Sequence, residues 1–472
     1  MQFREEIHQY IQNNQNEMID ILKKLIQIPS VRGEPSDHAP YGTECARVLE
    51  FTRELYERNG FETEYVPNQG YLLSGYGTGE KSIGIFAHGD IVPAGQGWLQ
   101  GEPFEPIEKG GCLLGRGTLD DKSAVVISLF CAKMVKELGL PFRSRLVLFT
   151  GVNEETGMQD IQDYLSRHQA PDFSIVPDYE FPLYRGNKGK YAFTLRSRQK
   201  LTKGISVTGG SGSSVMQKVT VTLPDSENLW NELQTCRNPR IDITQKDGAI
   251  LLTGTGIARS SANPAGSISA LAVVAEELCG LQALSQDDRS IFRDLYEMSR
   301  GFFGEFFGIE DENPEIGTLT AILSQVETDR DGFVTAHIYI RYVNPDKKDH
   351  MLRRIGDKIE AMSWENLRVT GCTLPHALPE NHPFVKAMLD VYGAYTGNPN
   401  PISYINNSGT YRQYLKNAVE TGLTISHSRE FDLPPGHGAI HQPDEYIPIQ
   451  GFLDATELTM HMLLEADRIL YT

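Results

Sequence analysis

Hydrophobic residues recur at helical spacing in the first part of the chain. Residues 4 to 29 alternate apolar and charged positions, and the apolar ones form one stripe, which consists of Ile19, Ile21, Leu22, Leu25 and Ile26. Such a stripe predicts an amphipathic helix that packs on a sheet. A second amphipathic pattern covers about 43 to 59 and ends at Asn59-Gly60, a good C-terminal stop.

Short apolar runs then alternate with helical patterns. The runs predict buried strands at Ser82–Ala87, Arg145–Thr150 and Phe173–Val176, and the patterns between them predict helices at 124–138 and 158–168. Alternating strands and helices are typical of an α/β fold with an open sheet.

The pattern changes near Gly186. Further strand and helix patterns follow as far as residue 379, but this region has hardly any candidate metal ligand and no histidine between His168 and His337; the patterns lie at Tyr191–Thr194, Lys218–Leu223, Ser267–Gly280, Phe333–Tyr342 and Lys347–Ala361. A closing helix is predicted from about 447 to 470.

Composition and charge narrow the possible partners. With 472 residues the chain is long enough for two domains, and its net charge of -18 disfavours nucleic acid and anionic membranes as partners. The six cysteines are far apart, which indicates reduced core thiols, and no run approaches the roughly 18 apolar residues of a membrane span. We therefore expect a cytoplasmic protein.

Two adjacent carboxylates follow the strand predicted at Arg145–Thr150. Glu154 and Glu155 lie where the strand opens into a loop, and neighbouring carboxylates near a buried edge repel each other. A bound metal beside a base would satisfy both, whereas the alternative is an ordinary solvated loop.

Other acidic residues and histidines occupy similar places. His88 and Asp90 follow a strand, and Asp120-Asp121 precedes a helix. A hydrogen-bonded histidine and a simple N-cap are the alternatives for these two pairs. Asp178 follows the strand after Glu155, and His441 lies near the C-terminus. Open α/β sheets place their sites beyond the carboxyl ends of strands, so the repetition favours one site. The chain would then form one domain from residues 1–185 and 380–472, interrupted by an inserted domain at 186–379.

Five motifs occur in order along the chain. They are His88-Gly-Asp90, Gly115-Arg-Gly-Thr-Leu-Asp120-Asp121-Lys122, Asn153-Glu154-Glu155-Thr-Gly157, Pro177-Asp178 and His441-Gln-Pro-Asp-Glu445. With these motifs the chain resembles the dinuclear zinc aminoacylase/carboxypeptidase family (clan MH metallopeptidases), and most of all its dipeptidase V or Xaa-His (carnosinase-like) branch. The resemblance implies an α/β fold, with a mixed-sheet zinc-peptidase catalytic domain and an inserted α+β lid domain.

The resemblance also implies a role for each motif residue. His88 and Asp178 would bind one zinc, Glu155 and His441 the other, and Asp120 would bridge the two. Asp90 would orient His88, Glu154 would be the general base, and the Asp120-Asp121 peptide bond would be cis. Imidazole and carboxylate groups suit zinc, although manganese or cobalt could replace it.

The inserted region departs from the family pattern. Where relatives carry a lid histidine, this chain has Ser260, and the neighbouring Arg259 is our candidate for stabilising the oxyanion. Arg341 keeps the family's place for holding a substrate carboxylate, and Ser408 and Gly409 stand in its glycine-rich loop.

Three functions remain open on the sequence alone. The favoured one is a zinc metallopeptidase that cleaves dipeptides or similar small peptides, by a water that two zinc ions activate. The second is an N-acyl amino-acid deacylase, and the third is a catalytically impaired, metal-binding relative. The resemblance further implies a monomer.

Overall fold

The computed structural model describes residues 3–362, 364–406, 409–425 and 431–472. It divides into two compact units, of which the first comprises Met1–Gly186 with Leu378–Thr472 and the second comprises Asn187–Ala377. In the described residues, no helix is both long enough and apolar enough to cross a membrane.

The N-terminal part of the first unit contains both strands and helices, and they alternate from α3 to β7. Its elements are α1 (Arg4–Ile26), α2 (Thr43–Arg58), β1 (Glu62–Val66), β2 (Tyr71–Tyr76), β3 (Ser82–His88), β4 (Ile107–Lys109), β5 (Cys112–Leu114), α3 (Lys122–Glu137), β6 (Arg145–Gly151), α4 (Gln159–Arg167), β7 (Phe173–Tyr179) and β8 (Tyr184–Asn187).

The second unit has mainly strands. Its elements are β9 (Gly189–Lys200), β10 (Ser206–Gly210), β11 (Lys218–Pro224), α5 (Glu227–Leu233), β12 (Ile241–Lys246), β13 (Ala249–Thr255), α6 (Ala270–Leu278), α7 (Gln286–Arg300), β14 (Glu312–Asn313), β15 (Gly317–Thr318), β16 (Thr320–Thr328), β17 (Phe333–Tyr342), α8 (Lys348–Glu360), β18 (Trp364–Thr373) and β19 (His376–Ala377).

The chain then completes the first unit. The last elements are α9 (Pro383–Thr396), β20 (Tyr404–Asn406), β21 (Ala418–Gly422), β22 (Tyr446–Pro448) and α10 (Ile449–Leu470).

A mixed sheet forms the centre of the first unit. Its strands follow the order β1-β2-β6-β3-β7-β21-β8, and β6, β3, β7 and β21 run parallel. Every residue of β3 is buried, as expected for a strand covered on both faces. On one face lie α1, α3 and α10; on the other lies an aromatic cluster that includes Tyr71, Phe149 and Tyr411. The predicted α/β class is confirmed.

The second unit is built on one antiparallel sheet, in the order β12-β13-β11-β10-β16-β17-β9-β18. Helix α6 packs against β11 and β13, and α7 packs against β9 and β16. The strand predicted at Phe333–Tyr342 forms with those bounds.

Candidate metal centre

Three parallel strands bring the candidate ligands to one edge of the first unit's sheet. His88 is the last residue of β3, β6 ends at Gly151 just before Glu154 and Glu155, and Asp178 lies near the end of β7. Because β3 is parallel to both neighbours, the carboxyl ends of all three strands face the same way. This is the edge at which open α/β sheets carry their sites.

The first group of potential ligands consists of His88, Asp120 and Asp178, whose ligand atoms lie within 4.8 Å of one another. Nε2 of His88 is 3.0 Å from Oδ1 of Asp120 and 3.6 Å from Oδ1 of Asp178. All three side chains are largely shielded from solvent, so the group can enclose a cation.

The second group consists of Asp120, Glu155 and His441, also within 4.8 Å. Nε2 of His441 is 2.8 Å from Oδ2 of Asp120 and 3.2 Å from Oε1 of Glu155. Asp120 therefore turns one carboxylate oxygen toward each group. This arrangement suits a carboxylate that bridges two cations.

The tautomer of His88 fits a metal ligand. Its Nδ1 lies 2.9 Å from the carbonyl oxygen of Asp90, and because a carbonyl can only accept, Nδ1 carries the proton. In the neutral imidazole, the lone pair of Nε2 then faces the carboxylates of the first group. This Nε2 is buried and has no hydrogen-bond partner in the described part of the chain, as expected of a nitrogen that holds a cation.

Besides its predicted role toward His88, Asp90 makes backbone contacts that the sequence did not indicate. Its carboxylate lies 3.4 Å from Nδ1 of His88, further than its carbonyl oxygen. The two carboxylate oxygens instead accept hydrogen bonds from the backbone N–H groups of Glu154 and Glu155, each at 3.2 Å. Asp90 thus ties the end of β3 to the loop after β6.

Glu154 belongs to neither ligand group and is 8% exposed, so the alternative of a solvated loop is wrong for this residue. Burial, followed by the nearby charge of Asp178, raises the pKa of Glu154 well above its usual range. A carboxylate with a raised pKa beside a metal site is suited to accept a proton from water near neutral pH.

The electrostatics of the site favour a cation. Burial raises the pKa of Asp178 to about 7. Hydrogen bonds to Asp120 and Glu155 raise the pKa of His441 to about 10, which shows how strongly positive charge is stabilised there. Four carboxylates, those of Asp120, Glu154, Glu155 and Asp178, share this space, and metal binding would relieve their repulsion.

Asp121 supports His88 and does not cap α3. Its Oδ2 accepts the backbone N–H of His88 at 3.1 Å, and its side chain makes no capping hydrogen bond to the helix. The alternative of a simple N-cap for this pair is therefore wrong. The Asp120-Asp121 peptide bond is cis, so that prediction is confirmed.

A buried carboxylate at the end of the last motif connects two loops of the site. Oε1 of Glu445 accepts the backbone N–H groups of Gly117, at 3.1 Å, and Leu119, at 2.8 Å, while Oε2 pairs with Arg116. Glu445 thereby joins the chain after His441 to the residues just before Asp120. The sequence contained Glu445 as part of a motif but gave no sign of its partner.

The predicted substrate-binding residues are divided between the two units. Arg259 and Ser260 are exposed in the second unit, and Arg341 lies on β17, 8% exposed, with its guanidinium carbon 4.9 Å from the centre of the Tyr339 ring. Gly409 belongs to the first unit, and Ser408 lies outside the described residues. Their roles stay predictions.

Comparison with known proteins places these motifs in context. Residues 84–214 match the model of peptidase family M20/M25/M40. A "Putative dipeptidase" of Staphylococcus epidermidis is 26% identical over 470 residues, which cover 95% of this chain and 97% of that protein. A Staphylococcus aureus protein of the same description is 26% identical and covers 98% of both chains.

Solved structures share the fold. Human carnosine dipeptidase 1 superposes with a TM-score of 0.60 at 14% identity, over 99% of both chains. The Saccharomyces cerevisiae di-peptidase Dug1p gives a TM-score of 0.59 at 15% identity, over 98% of both chains.

Proposed function

We propose that this chain, which carries a domain of peptidase family M20/M25/M40, is a metal-dependent dipeptidase. The family match and the similar dipeptidases confirm the resemblance drawn from the five motifs and the prediction of a metallopeptidase. The observation that carries the proposal is the pair of ligand groups that share Asp120, with the buried Glu154 beside them.

We assign His88 and Asp178 to one divalent cation, Glu155 and His441 to a second, and Asp120 to both. Zinc is the metal that these imidazole and carboxylate donors suit, with manganese or cobalt as substitutes. Two bound cations would polarise the scissile carbonyl and lower the pKa of a water molecule. Two observations support this assignment. Nδ1 of His88 is bound to a carbonyl oxygen, which leaves Nε2 for the metal, and the two carboxylate oxygens of Asp120 face different ligand groups.

Glu154 acts as the general base in this proposal. It accepts a proton from the attacking water and passes it to the amine that leaves. Asp90 holds the backbone of Glu154, so the carboxylate starts from a fixed position. The raised pKa of Glu154 lets it both take and return the proton near neutral pH.

We propose that Asn187–Ala377 serves as the lid and that Arg341 holds the substrate carboxylate. Arg259 and Ser260 take the place of the family's lid histidine, and Ser408 and Gly409 contribute to substrate binding. The enzyme would work as a cytoplasmic monomer, and these assignments depend on the family resemblance.

A substrate panel tests the function. The protein is stripped of metal with a chelator, reloaded with zinc, manganese or cobalt, and assayed on free dipeptides and on N-acyl amino acids. We expect metal-dependent hydrolysis of dipeptides with two metal ions per chain. Hydrolysis of acyl amino acids alone would favour the deacylase, and metal binding without turnover of either class would contradict both enzymatic functions.

A further inference from the structure

A tyrosine from the C-terminal part of the first unit reaches the loop that carries Glu154. The hydroxyl of Tyr411 donates a hydrogen bond of 2.5 Å to Oδ2 of Asp160, which lies 251 residues earlier in the chain. Both side chains are fully buried. Neither residue belongs to the ligand groups described above.

Asp160, like Asp90, fixes the backbone of this loop. Its Oδ2 also accepts the N–H of Asn153 at 2.8 Å, and its Oδ1 accepts the N–H of Ile161 at 2.8 Å. Asp160 therefore holds the N–H group of Asn153, and Asp90 holds the next two N–H groups, those of Glu154 and Glu155.

The side chain of Asn153 closes the loop further. Its Oδ1 accepts the N–H of Gln159 at 2.8 Å, and its Nδ2 donates to Oγ1 of Thr156 at 2.6 Å. The segment between Asn153 and Asp160 is thus held at both ends and across its middle. A shift of Asp160 would be transmitted to Glu154 through the backbone of Asn153.

The ring of Tyr411 is itself held by the core of the site. It meets the Phe149 ring edge-on, with centroids 5.3 Å apart, and the His88 ring edge-on at 6.3 Å. The approach is close: a Cβ at Gly151 would lie 2.0 Å from the Tyr411 hydroxyl and 2.2 Å from Oδ2 of Asp160. Only a glycine leaves room for this hydrogen bond against the end of β6.

We propose that Tyr411 and Asp160 are a pair of positioning residues that hold the base Glu154 at its working distance from the metal site. The inference rests on the proposed function, because it assigns the pair to that reaction. The pair touches no reacting atom; it acts through the backbone of Asn153. Tyr411 follows Gly409 and Thr410 directly, so the same pair couples the predicted substrate loop to the loop of the base.

The test compares two tyrosine-to-phenylalanine variants. Tyr411→Phe removes the hydroxyl that bonds Asp160. Tyr71→Phe is the matched control: Tyr71 is fully buried in the same aromatic cluster, and its hydroxyl has no hydrogen-bond partner in the described structure. At pH 8, on the best dipeptide, we expect kcat of Tyr411→Phe to fall at least about tenfold, the scale of a lost hydrogen bond to a charged group. KM and metal content should stay within about twofold.

Asp160→Asn provides a second route to the same result and shows whether the pair acts as a unit. The double variant should be no slower than Asp160→Asn alone within about twofold, because the Tyr411 hydroxyl acts only through Asp160. Independent, multiplying losses would overturn the inference. So would a wild-type kcat in Tyr411→Phe, an equal loss in Tyr71→Phe, or a loss of metal in step with kcat.

Amide hydrogen exchange supplies a readout that does not need turnover. Peptides covering residues 151–158 should exchange about tenfold faster or more in Tyr411→Phe than in wild type or Tyr71→Phe. An unchanged exchange rate would overturn the inference even if the activity assay of the variants gives no interpretable kcat. A wild-type enzyme that hydrolyses no dipeptide would instead contradict the proposed function, and the exchange result would still decide whether the pair holds the loop.

Discussion

Replacing Glu154 with glutamine tests whether the proposed base can be separated from the proposed metal ligands. Glutamine keeps the size of the side chain, and the backbone of residue 154 stays bound to Asp90. Because Glu154 is in neither ligand group, Glu154→Gln should retain the full metal content. Loss of a general base typically costs about 10²- to 10⁴-fold in rate, which is about 3 to 5 kcal/mol of transition-state stabilisation.

The neighbouring residue offers a matched control. Glu155→Gln makes the same chemical change one position along the chain, but it neutralises a carboxylate of the second ligand group, whose Oε1 lies 3.2 Å from Nε2 of His441. The assay measures kcat and metal stoichiometry for both variants. We expect Glu154→Gln to lose turnover and keep metal, whereas Glu155→Gln should lose both. Loss of metal from Glu154→Gln, or wild-type kcat, would refute this division of roles.

In the metal-free protein, the effect of Glu154→Gln on stability should depend on pH. Burial and the charge of Asp178 raise the pKa of Glu154, so the folded chain holds that proton more tightly than the unfolded chain. The ionised carboxylate therefore destabilises the fold as pH rises. Metal-free Glu154→Gln should be more stable than metal-free wild type at pH 8, and the difference should disappear below about pH 4, near the unfolded pKa. Equal stability at both pH values would contradict the assigned environment.

Three further substitutions test other predicted roles. Glu445→Gln should weaken metal affinity about 10- to 100-fold in a metal titration, because Glu445 holds the residues just before Asp120. Its control is Glu420→Gln, which disturbs another buried ion pair with an arginine and should leave the metal affinity unchanged. Arg259→Ala should lower kcat by about two orders or more at unchanged metal content if Arg259 stabilises the oxyanion, and a wild-type kcat would reject that role. Gly151→Ala should lower both the denaturation midpoint and kcat, because its Cβ would overlap the bond between Tyr411 and Asp160; retention of both would show that the core yields there.

Periodicity predicted the main elements of the first unit to within a few residues. Helix α1 ends at Ile26, three residues before the predicted end, because Pro29 disfavours a helical conformation at the residue before it. Strand β7 runs on to Tyr179, so Asp178 lies inside a strand whereas the pattern placed it after one. The motifs indicated the candidate ligands because His88, Glu155 and Asp178 lie at or near the carboxyl ends of neighbouring parallel strands.

Contacts between distant segments could not be read from local patterns. The bond between Tyr411 and Asp160 and that between Arg116 and Glu445 each join residues more than 250 positions apart. Hydrophobic spacing reports which face of an element is buried, but it does not say which polar side chain meets which. Helix α7 is a different kind of miss: it was not predicted at all, although Ser285 caps it by accepting the N–H of Asp288.

The position of β21 within the sheet has a consequence for synthesis of the chain. This strand pairs in parallel with β7, yet almost 240 residues separate the two in sequence, and α10, which covers α1 and α3, comes later still. During synthesis, the apolar faces of β7, α1 and α3 therefore leave the ribosome long before β21 and α10 have been made. Pairing over such separations is slow, and exposed apolar surface promotes aggregation. The Asn187–Ala377 unit has its own sheet and internal contacts, so it can fold before β21 is synthesised. Once folded, it would hold its two ends close together and so shorten the loop that must close when β21 pairs with β7.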